Sequence, residues 1–410
     1  MSNQARNEYA REVSARYKLA ARSEKSRILD EFCRTGGYNR KYAVGLLNNP
    51  PASRTAPIER PRARRYDSPV RAALSQLWEI SGGLCVKRLV PFLPELIEAL
   101  ERHHEICLPE ETRKKLLAIS PATADRLLAT LRRSHPLRGR STTKPGTLLR
   151  EQIRVRTQFA WDEQKPGYFE ADLVAHCAES TAGDFLYTLT LTDIATGWTE
   201  CQSLLNRSQI AVTDAIERTR KLLPFPLLGI DSDNGTEFIN HNLKRYCDER
   251  KIVFTRCRPY HKNDQCHVEQ KNWTVVRQHI GYARYEGAEE GRLLQSAHRW
   301  LRRHVNFFQP SVKLLSKQRD EANQARVHKI YDRAQTPYQR LVASGTMDKE
   351  TRGDLNTFYL DLNPVQVLDE LNAAIRHLQQ AQLRRLRSLS ASASASASAS
   401  APDDQNLPEA

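Results

Sequence analysis

The sequence predicts a mixed α/β domain in the middle of the chain, with helical regions on either side. Three β-rich runs follow one another between residues 167 and 205, and the second alternates apolar and polar residues strictly. Helix-like and strand-like segments then alternate up to about residue 305. The resulting order βββαβαβα indicates a mixed-sheet α/β domain.

Length and charge predict several domains, of which the first ones are basic. A chain of 410 residues is too long for one compact core, so we expect roughly two to four domains. Residues 1–150 hold 29 Lys and Arg against 15 Asp and Glu, whereas the remaining 260 residues hold 34 against 33. This asymmetry predicts that the first third binds a polyanion, above all nucleic acid. A basic surface that serves solubility is the alternative.

The distribution of apolar residues argues against a membrane or secreted protein. No run of about 18 apolar residues occurs, and the first residues, MSNQARNEYAREV, are polar throughout. We therefore expect a cytoplasmic protein, associated with the nucleoid if the polyanion is DNA.

Residues 1–50 predict a helix-turn-helix unit. Apolar residues recur at helical spacing on both sides of the break TGG at 35–37. Two short helices joined by a glycine-containing turn are typical of this motif, with residues 38–48 as the recognition helix. Arg40 and Lys41 at the N-terminal end of that helix would then face phosphates or base edges. An ordinary helical hairpin is the alternative.

Residues 51–69 predict a basic linker. The segment is rich in proline and arginine and cannot form a helix. Its residues Arg62, Arg64 and Arg65 would track a DNA backbone or lie in a minor groove. A solvated linker without DNA contacts explains the composition equally well.

Residues 70–134 predict a second helical unit. Ser120 is a good N-cap, and Pro121 occupies the first position of the helix that follows. A second helix-turn-helix is one interpretation of this unit. Residues 135–150 form another basic linker, rich in Pro, Gly and Ser, which marks the clearest domain boundary.

The α/β domain is predicted over residues 151–310 and the rest of the chain is predicted to be helical. The strands are expected at 167–177, 185–194, 198–205, 227–231 and 252–256, and the helices at 208–222, 236–250 and about 265–305. A tight hairpin at Thr196 and Gly197 joins the second and third strands. Residues 311–387 read as charged helices, and the Ser/Ala-rich residues 388–410 predict a disordered tail.

Four segments in this domain carry the residues of a chemical site: EADLVAH, LTDIATGWTE, DSDNGTEF and PYHKNDQCHVEQKNW. Together they resemble the integrase catalytic core of DDE transposases and retroviral integrases, over roughly residues 160–310. The flanking NFFQPSVKL resembles bacterial insertion-sequence transposases of this group. The resemblance implies a ribonuclease H-like fold with a mixed five-stranded sheet.

The family uses two aspartates and one glutamate, with about 35 residues between the last two. Asp233 and Glu269 have 35 residues between them, whereas Asp231 and Glu269 have 37. Asp233 also directly precedes Asn-Gly, as the family's second aspartate does, and Asp172 fits the first position. The resemblance therefore implies Asp172, Asp233 and Glu269 as catalytic residues. Asp231 would share a strand face with Asp233 as an outer-shell group, or be an exposed aspartate at a strand end.

Phosphodiester chemistry explains why such a site needs three carboxylates. Attack at phosphorus passes through a highly anionic centre, which two Mg²⁺ ions about 3.5–4 Å apart can stabilise. Mg²⁺ prefers hard oxygen ligands. The expected ligands are Asp172 as the bridge, with Asp233 and Glu269 on one ion each, and Mn²⁺ is the expected substitute.

Further residues near the glutamate are expected to contact DNA. Asn272 matches a family asparagine three residues after the glutamate, and Arg277 or Lys271 stands in for a family lysine that is Val276 here. Lys262 lies in the loop before the glutamate helix. A solvated helix face and an ordinary loop are the alternatives for these residues.

The resemblance implies a transposase that cuts transposon ends and joins them to target DNA, both duplexes, as a homo-oligomer assembled on DNA. Two other functions are compatible with the same residues. One is a nuclease that hydrolyses nucleic acid without strand transfer, and the other is a DNA-binding regulator with a silent core.

Overall fold

The computed structural model describes residues 3–51, 65–133, 154–155, 165–257, 266–319 and 327–399. The chain divides into two compact units, residues 1–65 and 66–410. No helix within the described ranges is both long and apolar enough to cross a membrane.

The first unit consists of three helices around a small apolar core. They are α1 (Asn3–Leu19), α2 (Arg22–Gly36) and α3 (Arg40–Asn48). Gly37 ends α2 with φ of 68°, a left-handed conformation that glycine adopts without strain, and the Asn39 side chain caps α3. Phe32 and Leu47 are fully buried in the shared core. The two predicted helices and their turn are present, and their role in binding DNA stays a prediction.

The second unit begins with four helices that share a second core. They are α4 (Ser68–Ile80), α5 (Val86–Arg102), α6 (Glu110–Leu117) and α7 (Pro121–Arg133). The Ser120 hydroxyl accepts the Thr123 N–H at 3.3 Å, as the predicted N-cap requires. Hydrogen bonds join this helical region to the rest of the unit, among them Gln309 Nε2 to the Ser81 carbonyl at 2.7 Å.

A six-stranded mixed sheet forms the centre of the second unit. Its strands are β1 (Arg154–Val155), β2 (Tyr168–Ala175), β3 (Tyr187–Asp193), β4 (Thr199–Leu204), β5 (Gly229–Ser232) and β6 (Val253–Arg256). They lie in the order β1-β6-β5-β2-β3-β4, in which β2, β3 and β4 pair antiparallel and the other pairs are parallel. The five predicted strands are therefore all present, and the two-residue β1 adds a sixth at one edge. The mixed-sheet α/β fold of the ribonuclease H-like type is confirmed.

Helices cover both faces of this sheet or pack against the helices that do. They are α8 (Gln209–Leu222), α9 (His241–Glu249), α10 (Cys266–Lys271), α11 (Gln278–Ile280), α12 (Gly287–Phe308), α13 (Pro337–Ala343), α14 (Lys349–Asp361) and α15 (Pro364–Ala399). Phe169 and Ala171 of β2 point into a core shared with α8 and α9, whereas Val174 points into a core shared with α12 and α15. This alternation follows from the two-residue period of a strand.

The region after residue 311 departs from the helical prediction. Residues 314–331 contain a two-stranded antiparallel sheet of β7 (Leu314–Arg319) and β8 (Val327–Tyr331), so a wholly helical region was wrong there. These strands pair with each other outside the main sheet and carry exposed side chains such as Leu315, so no buried face imposed an apolar pattern on the sequence. Helix α15 continues to Ala399 and so includes residues 388–399 of the predicted disordered tail.

Candidate active site

Asp172 and Asp233 come from neighbouring parallel strands at the centre of the sheet. Strand β2 pairs with β5 in a register that sets Glu170 beside Asp231 and Ala171 beside Ser232. The next pair in the same register is Asp172 and Asp233, immediately after β5 ends. The strand pairing thus brings the two predicted aspartates to adjacent positions.

A tight turn after β5 holds Asp233. Its Oδ1 accepts the N–H of Gly235 at 2.9 Å. A Cβ at Gly235 would lie 2.9 Å from that Oδ1 and 2.7 Å from Glu237 Cδ, so only glycine fits without displacement. The Asn234 side chain donates to the Cys257 carbonyl at 3.3 Å and accepts from the Arg256 guanidinium at 3.2 Å. The Asp-Asn-Gly sequence therefore fixes this turn against the end of β6.

Glu269 lies in the first turn of α10, and a buried carboxylate holds the start of that helix. Glu170 Oε2 accepts the backbone N–H groups of His267 and Val268, both at 2.9 Å. These are N–H groups of the first turn, which have no partner within the helix. Glu170 has no exposed surface and shares a face of β2 with Asp172. The strand that carries Asp172 thus also positions the helix that carries Glu269.

The helix changes its winding directly after α10. Residues Asn272–Arg277 form a π-helical turn, a distortion that is frequent at functional sites. The first residue of this turn reaches back to the sheet, where Asn272 Nδ2 donates to Asp172 Oδ2 at 2.7 Å. The Leu173 N–H donates to the other oxygen, Asp172 Oδ1, at 2.8 Å.

Asp172 is the electrostatic centre of the site. Its pKa is raised from 3.8 to about 7, first by burial and then by the negative charges of Asp233 and Glu269, against the lowering effect of the two hydrogen bonds. Burial also raises the pKa of Asp233, and the charge of Glu237 adds to this. Ionisation of Asp172 and of Asp233 is therefore unfavourable unless a positive charge lies nearby.

The oxygen atoms around Asp172 are of the kind that binds a hard divalent cation. The buried Asn272 Oδ1 accepts no hydrogen bond from the described part of the chain. Among those residues, no three Asp, Glu, His or Cys side chains are arranged closely enough around one point to hold a metal ion. Glu269 is exposed, so rotation about its side-chain bonds can bring its carboxylate towards the two aspartates. Carboxylate and amide oxygens are ligands that Mg²⁺ accepts, and the exposed Glu269 side chain has room to move.

Asp231 is buried rather than exposed at a strand end. It has no exposed surface, and its Oδ1 accepts the hydroxyl of Thr255 on β6 at 2.6 Å. The exposed alternative was therefore wrong. Since Asp231 pairs with Glu170 across the strands, it lies one pair behind the two aspartates of the site and supports the sheet there.

The residues predicted to contact DNA differ in exposure and in their contacts, and some lie outside the described residues. Arg62, Arg64 and Lys262 lie outside the described residues. Arg40 is exposed at the start of α3, where its guanidinium donates to Asp30 and, at 2.8 Å, to Ser26 Oγ. The exposed Lys41 is the second residue of α3, and the exposed Arg65 lies at the end of the first unit.

Arg277 is used within the fold. Its guanidinium donates to the Ala175 carbonyl at 2.8 Å and lies over the Tyr282 ring, 4.8 Å from the centroid. It therefore ties the end of the π-helical turn to the end of β2. Any contact of Arg277 or of the other predicted residues with DNA stays a prediction.

Two features of the site were missed in the sequence. Glu170 stands two residues before Asp172. The signal in the sequence that could have identified it is a glutamate on a strand face that is otherwise buried. Trp273, four residues after Glu269, is a large apolar side chain that is 48% exposed.

Comparison with known proteins places these residues in context. The family model of the integrase core domain matches residues 162–262, a range that contains Asp172 and Asp233 and ends before Glu269. The chain is 43% identical over 321 residues to the uncharacterized protein y4rM of Sinorhizobium fredii (strain NBRC 101917 / NGR234). That alignment covers 78% of this chain and 91% of y4rM.

Three solved structures show weak likeness to the chain. The catalytic core of BIV integrase is 17% identical, with a TM-score of 0.29 over 43% of this chain and 95% of that one. The HTLV-2 integrase catalytic core, in complex with magnesium, is 15% identical, with a TM-score of 0.27 over 36% and 90%. A simian T-cell lymphotropic virus intasome chain is 15% identical, with a TM-score of 0.26 over 44% and 59%.

Proposed function

Because the chain belongs to the DDE transposase/integrase family, we propose that it is a transposase that cuts and joins DNA through Asp172, Asp233 and Glu269. The integrase core match supports an integrase-type polynucleotidyl transferase. The observation that carries the finer proposal is the electrostatic coupling of Asp172 to Asp233 and Glu269, which come from two strands and a helix. A buried aspartate whose charge is disfavoured by burial and by two neighbouring carboxylates forms a site that a divalent cation would stabilise.

We propose Mg²⁺ as the cofactor, bound as two ions, with Mn²⁺ as its substitute. Asp172, Asp233 and Glu269 supply hard oxygen ligands, which both ions accept. When bound, the metal would offset the charge that builds up around the phosphorus during attack. Asn272 keeps Asp172 oriented through its 2.7 Å hydrogen bond, and its own Oδ1 remains available as an acceptor in the site.

The proposed reaction has two steps of the same kind. Water first attacks a phosphodiester at the transposon end, so that one P–O bond forms, one breaks and a 3′-OH is released. That hydroxyl then attacks a phosphodiester of the target DNA and displaces another 3′-oxygen. Since each step exchanges one P–O bond for another, neither needs a covalent enzyme intermediate or an external energy source.

Some side chains of the site would bind the metal, and others would position these ligands. Asp172 must be ionised to act, and the N–H of Leu173 and the Asn272 amide both favour its charged form. Gly235 allows the turn that presents Asp233. Glu170 fixes the start of the Glu269 helix, and Glu269 would turn its exposed side chain towards the two aspartates when metal binds.

DNA ends would be held by the basic first third of the chain. The helices α2 and α3 have the order and the turn of a helix-turn-helix, with Arg40 and Lys41 at the start of the second helix. We propose that this unit binds transposon ends and that copies of the chain assemble on duplex DNA. Such an enzyme would work on DNA in the bacterial cytoplasm, associated with the nucleoid.

The test of this proposal is an assay with labelled duplexes that carry the transposon end. Full-length protein with Mg²⁺ should nick the end and join it to a target duplex, and EDTA should abolish both products. A pre-nicked end tests joining separately from hydrolysis. Nicking without any joining would favour a hydrolytic nuclease, and DNA binding with neither product would favour a regulator with a silent core.

A further inference from the structure

A basic cavity opens at the edge of the sheet, away from the three carboxylates. It has a volume of about 670 Å³ and lies between the edge strand β4 and the helices α8 and α12. Its basic lining residues are Arg218, Lys221, Arg292, Arg299, Arg302 and Arg303, and none of the described residues that line it is acidic. Cys201, beside the cavity on β4, pairs with Thr190, which pairs with Asp172. Cys201 therefore lies two strands, about 10 Å, from Asp172, and the lining of the cavity begins at the next residue, Gln202.

The spacing of these residues along the two helices builds the cavity. Arg218 and Lys221 are three residues apart on α8, and Arg292, Arg299 and Arg303 are seven and four residues apart on α12. Residues at these intervals lie on one face of a helix. Both helices therefore turn a basic face towards the same space.

Only one of the arginines is clearly required by the fold. The Arg302 guanidinium donates to buried Glu200 Oε1 at 2.6 Å and to the Leu222 carbonyl at 2.8 Å. Lys221 is exposed and lies 3.6 Å from Glu217. These two residues have acidic partners within the protein.

The other four arginines lack an acidic partner among the described residues. Within the described residues, Arg218, Arg292, Arg299 and Arg303 form no ion pair. The Arg303 guanidinium lies over the Trp300 ring, 4.3 Å from its centroid. Burial and the charges of Arg302 and Arg299 lower the pKa of Arg303, so these cations disfavour one another. An anion in the cavity would relieve this repulsion.

We propose that this cavity binds backbone phosphates of DNA at a point away from the bond that is cut. Arginine forks bind phosphate oxygens through paired hydrogen bonds, and a DNA strand offers successive phosphates, one for about every 3.4 Å of the duplex axis, to several side chains. The inference rests on the proposed function, since it assumes that the chain handles DNA. It adds a second contact, separate from the helix-turn-helix and from the carboxylates.

A second copy of this chain is a poorer occupant. In a two-fold interface the same surface faces itself, so four uncompensated arginines would meet four more. An acidic protein segment is the other anionic partner, and the experiment below separates it from DNA.

Arginine-specific modification of full-length protein tests the proposal residue by residue. The protein is treated with phenylglyoxal without divalent metal, alone and with duplex DNA at a concentration that shifts all of it in a gel. We expect modification of Arg218, Arg292 and Arg299 to fall at least several-fold with DNA, while exposed Arg376 of α15 changes little. Unchanged modification with bound DNA would overturn the inference and leave the proposed function intact. Failure to bind DNA at all would instead remove the proposed function.

Two competing anions show which kind of anion the cavity binds. Inorganic tripolyphosphate and an oligoglutamate peptide are added in place of DNA. Protection by DNA, with weaker protection by tripolyphosphate, supports a site for backbone phosphate. Protection by tripolyphosphate or oligoglutamate but not by DNA would overturn the assignment to DNA.

Charge-reversal variants give an independent measurement. Arg218→Glu and Arg299→Glu change exposed side chains, and Lys349→Glu makes the same charge change on α14 outside the cavity. Each lost phosphate contact should reduce the slope of log affinity against log salt by about 0.9. We expect the double variant Arg218→Glu/Arg299→Glu to bind DNA at least about tenfold more weakly with a smaller slope. A slope equal to that of Lys349→Glu would contradict the proposal.

Discussion

The carboxamide of Asn272 donates a hydrogen bond of 2.7 Å to Asp172 Oδ2 and thereby links the glutamate helix to the central strand. The bond forms where the helix winds into a π-helical turn, three residues after Glu269. It favours the charged form of Asp172, in opposition to burial and to the two neighbouring carboxylates. Asn272 thus supports both the position and the ionisation of the aspartate.

Replacing Asn272 should therefore move the pH dependence of the reaction. In Asn272→Ala the carboxylate loses a hydrogen bond, so the pKa of Asp172 should rise and the acid limb of the activity profile should shift to higher pH. The measurement is DNA nicking against pH at a fixed Mg²⁺ concentration. Gln270→Ala, at an exposed position of α10, is the control. If the acid limbs of Asn272→Ala and Gln270→Ala lie at the same pH, Asn272 does not stabilise the ionised form of Asp172.

Glu170 should act as a positioning residue for Glu269. In Glu170→Ala the N–H groups of His267 and Val268 lose their acceptor, which costs on the order of 1–3 kcal/mol for a buried donor. We expect a higher Mg²⁺ concentration for half-maximal nicking, because the glutamate ligand is less well placed.

Glu170→Gln, which retains one acceptor oxygen, should recover much of the Mg²⁺ response. Glu179→Ala removes an exposed glutamate and should leave that response unchanged. If Glu170→Ala lowers thermal stability while the Mg²⁺ midpoint stays at the wild-type value, Glu170 has a structural role only.

The raised pKa of Asp172 predicts how stability changes with pH in EDTA. A carboxyl whose pKa is higher in the folded than in the unfolded state stabilises the fold while it is protonated. For Asp172 this contribution is present below pH 3.8 and is lost as the pH rises through about 7. Asp172→Asn should therefore melt at a higher temperature than wild type at pH 8, and the difference should shrink towards pH 4.

Thermal melts at several pH values check this expectation. Asp214→Asn, at an exposed position of α8, makes the same charge change and should follow wild type across the range. An Asp172→Asn variant that is less stable than wild type at pH 8 in EDTA would show that the carboxylate is not repelled by its neighbours.

Gly235→Ala should damage the site more than the fold. The added methyl group would crowd Asp233 Oδ1 and Glu237 Cδ, so the Asp233 carboxylate must leave the position in which it accepts the Gly235 N–H in this turn. We expect a strong loss of nicking with DNA binding retained. Gly353→Ala, in helix α14 with no atom near the new Cβ, should keep activity and gain up to about 1 kcal/mol of stability. Full activity of Gly235→Ala would show that the turn is not required.

The strand order and the aspartates could be read from the sequence because they depend on local patterns. Alternating residues, a hairpin at Gly197 and the Asp-Asn-Gly turn are each set within a few neighbours. In that hairpin the Asp193 carboxylate accepts the N–H of Thr196 at 2.7 Å, and it also accepts the N–H of Gly167 at 2.8 Å.

Contacts across the sheet were not predictable in the same way. The contact of Glu170 with Val268 joins residues 98 positions apart, and that of Asn272 with Asp172 joins residues 100 apart. The burial of Asp231 depends on Thr255 of another strand. The basic cavity likewise exists only because α8 and α12 flank the same edge strand. In each case the sequence shows the chemical type of the side chain. The residue that it contacts is determined by the tertiary structure.

The most direct test of the catalytic triad is strand transfer by Asp233→Asn from a pre-nicked transposon end with Mg²⁺. The change keeps the shape of the side chain and removes one of three charges that the metal site needs. Asp214→Asn is the matched control, and it is preferable to Asp231→Asn because Asp231 is buried against Thr255. We predict that Asp233→Asn lowers the joining rate about a thousandfold or more, with end binding retained, while Asp214→Asn joins at the wild-type rate. Joining by Asp233→Asn at near the wild-type rate would contradict the assignment of this carboxylate to the chemistry.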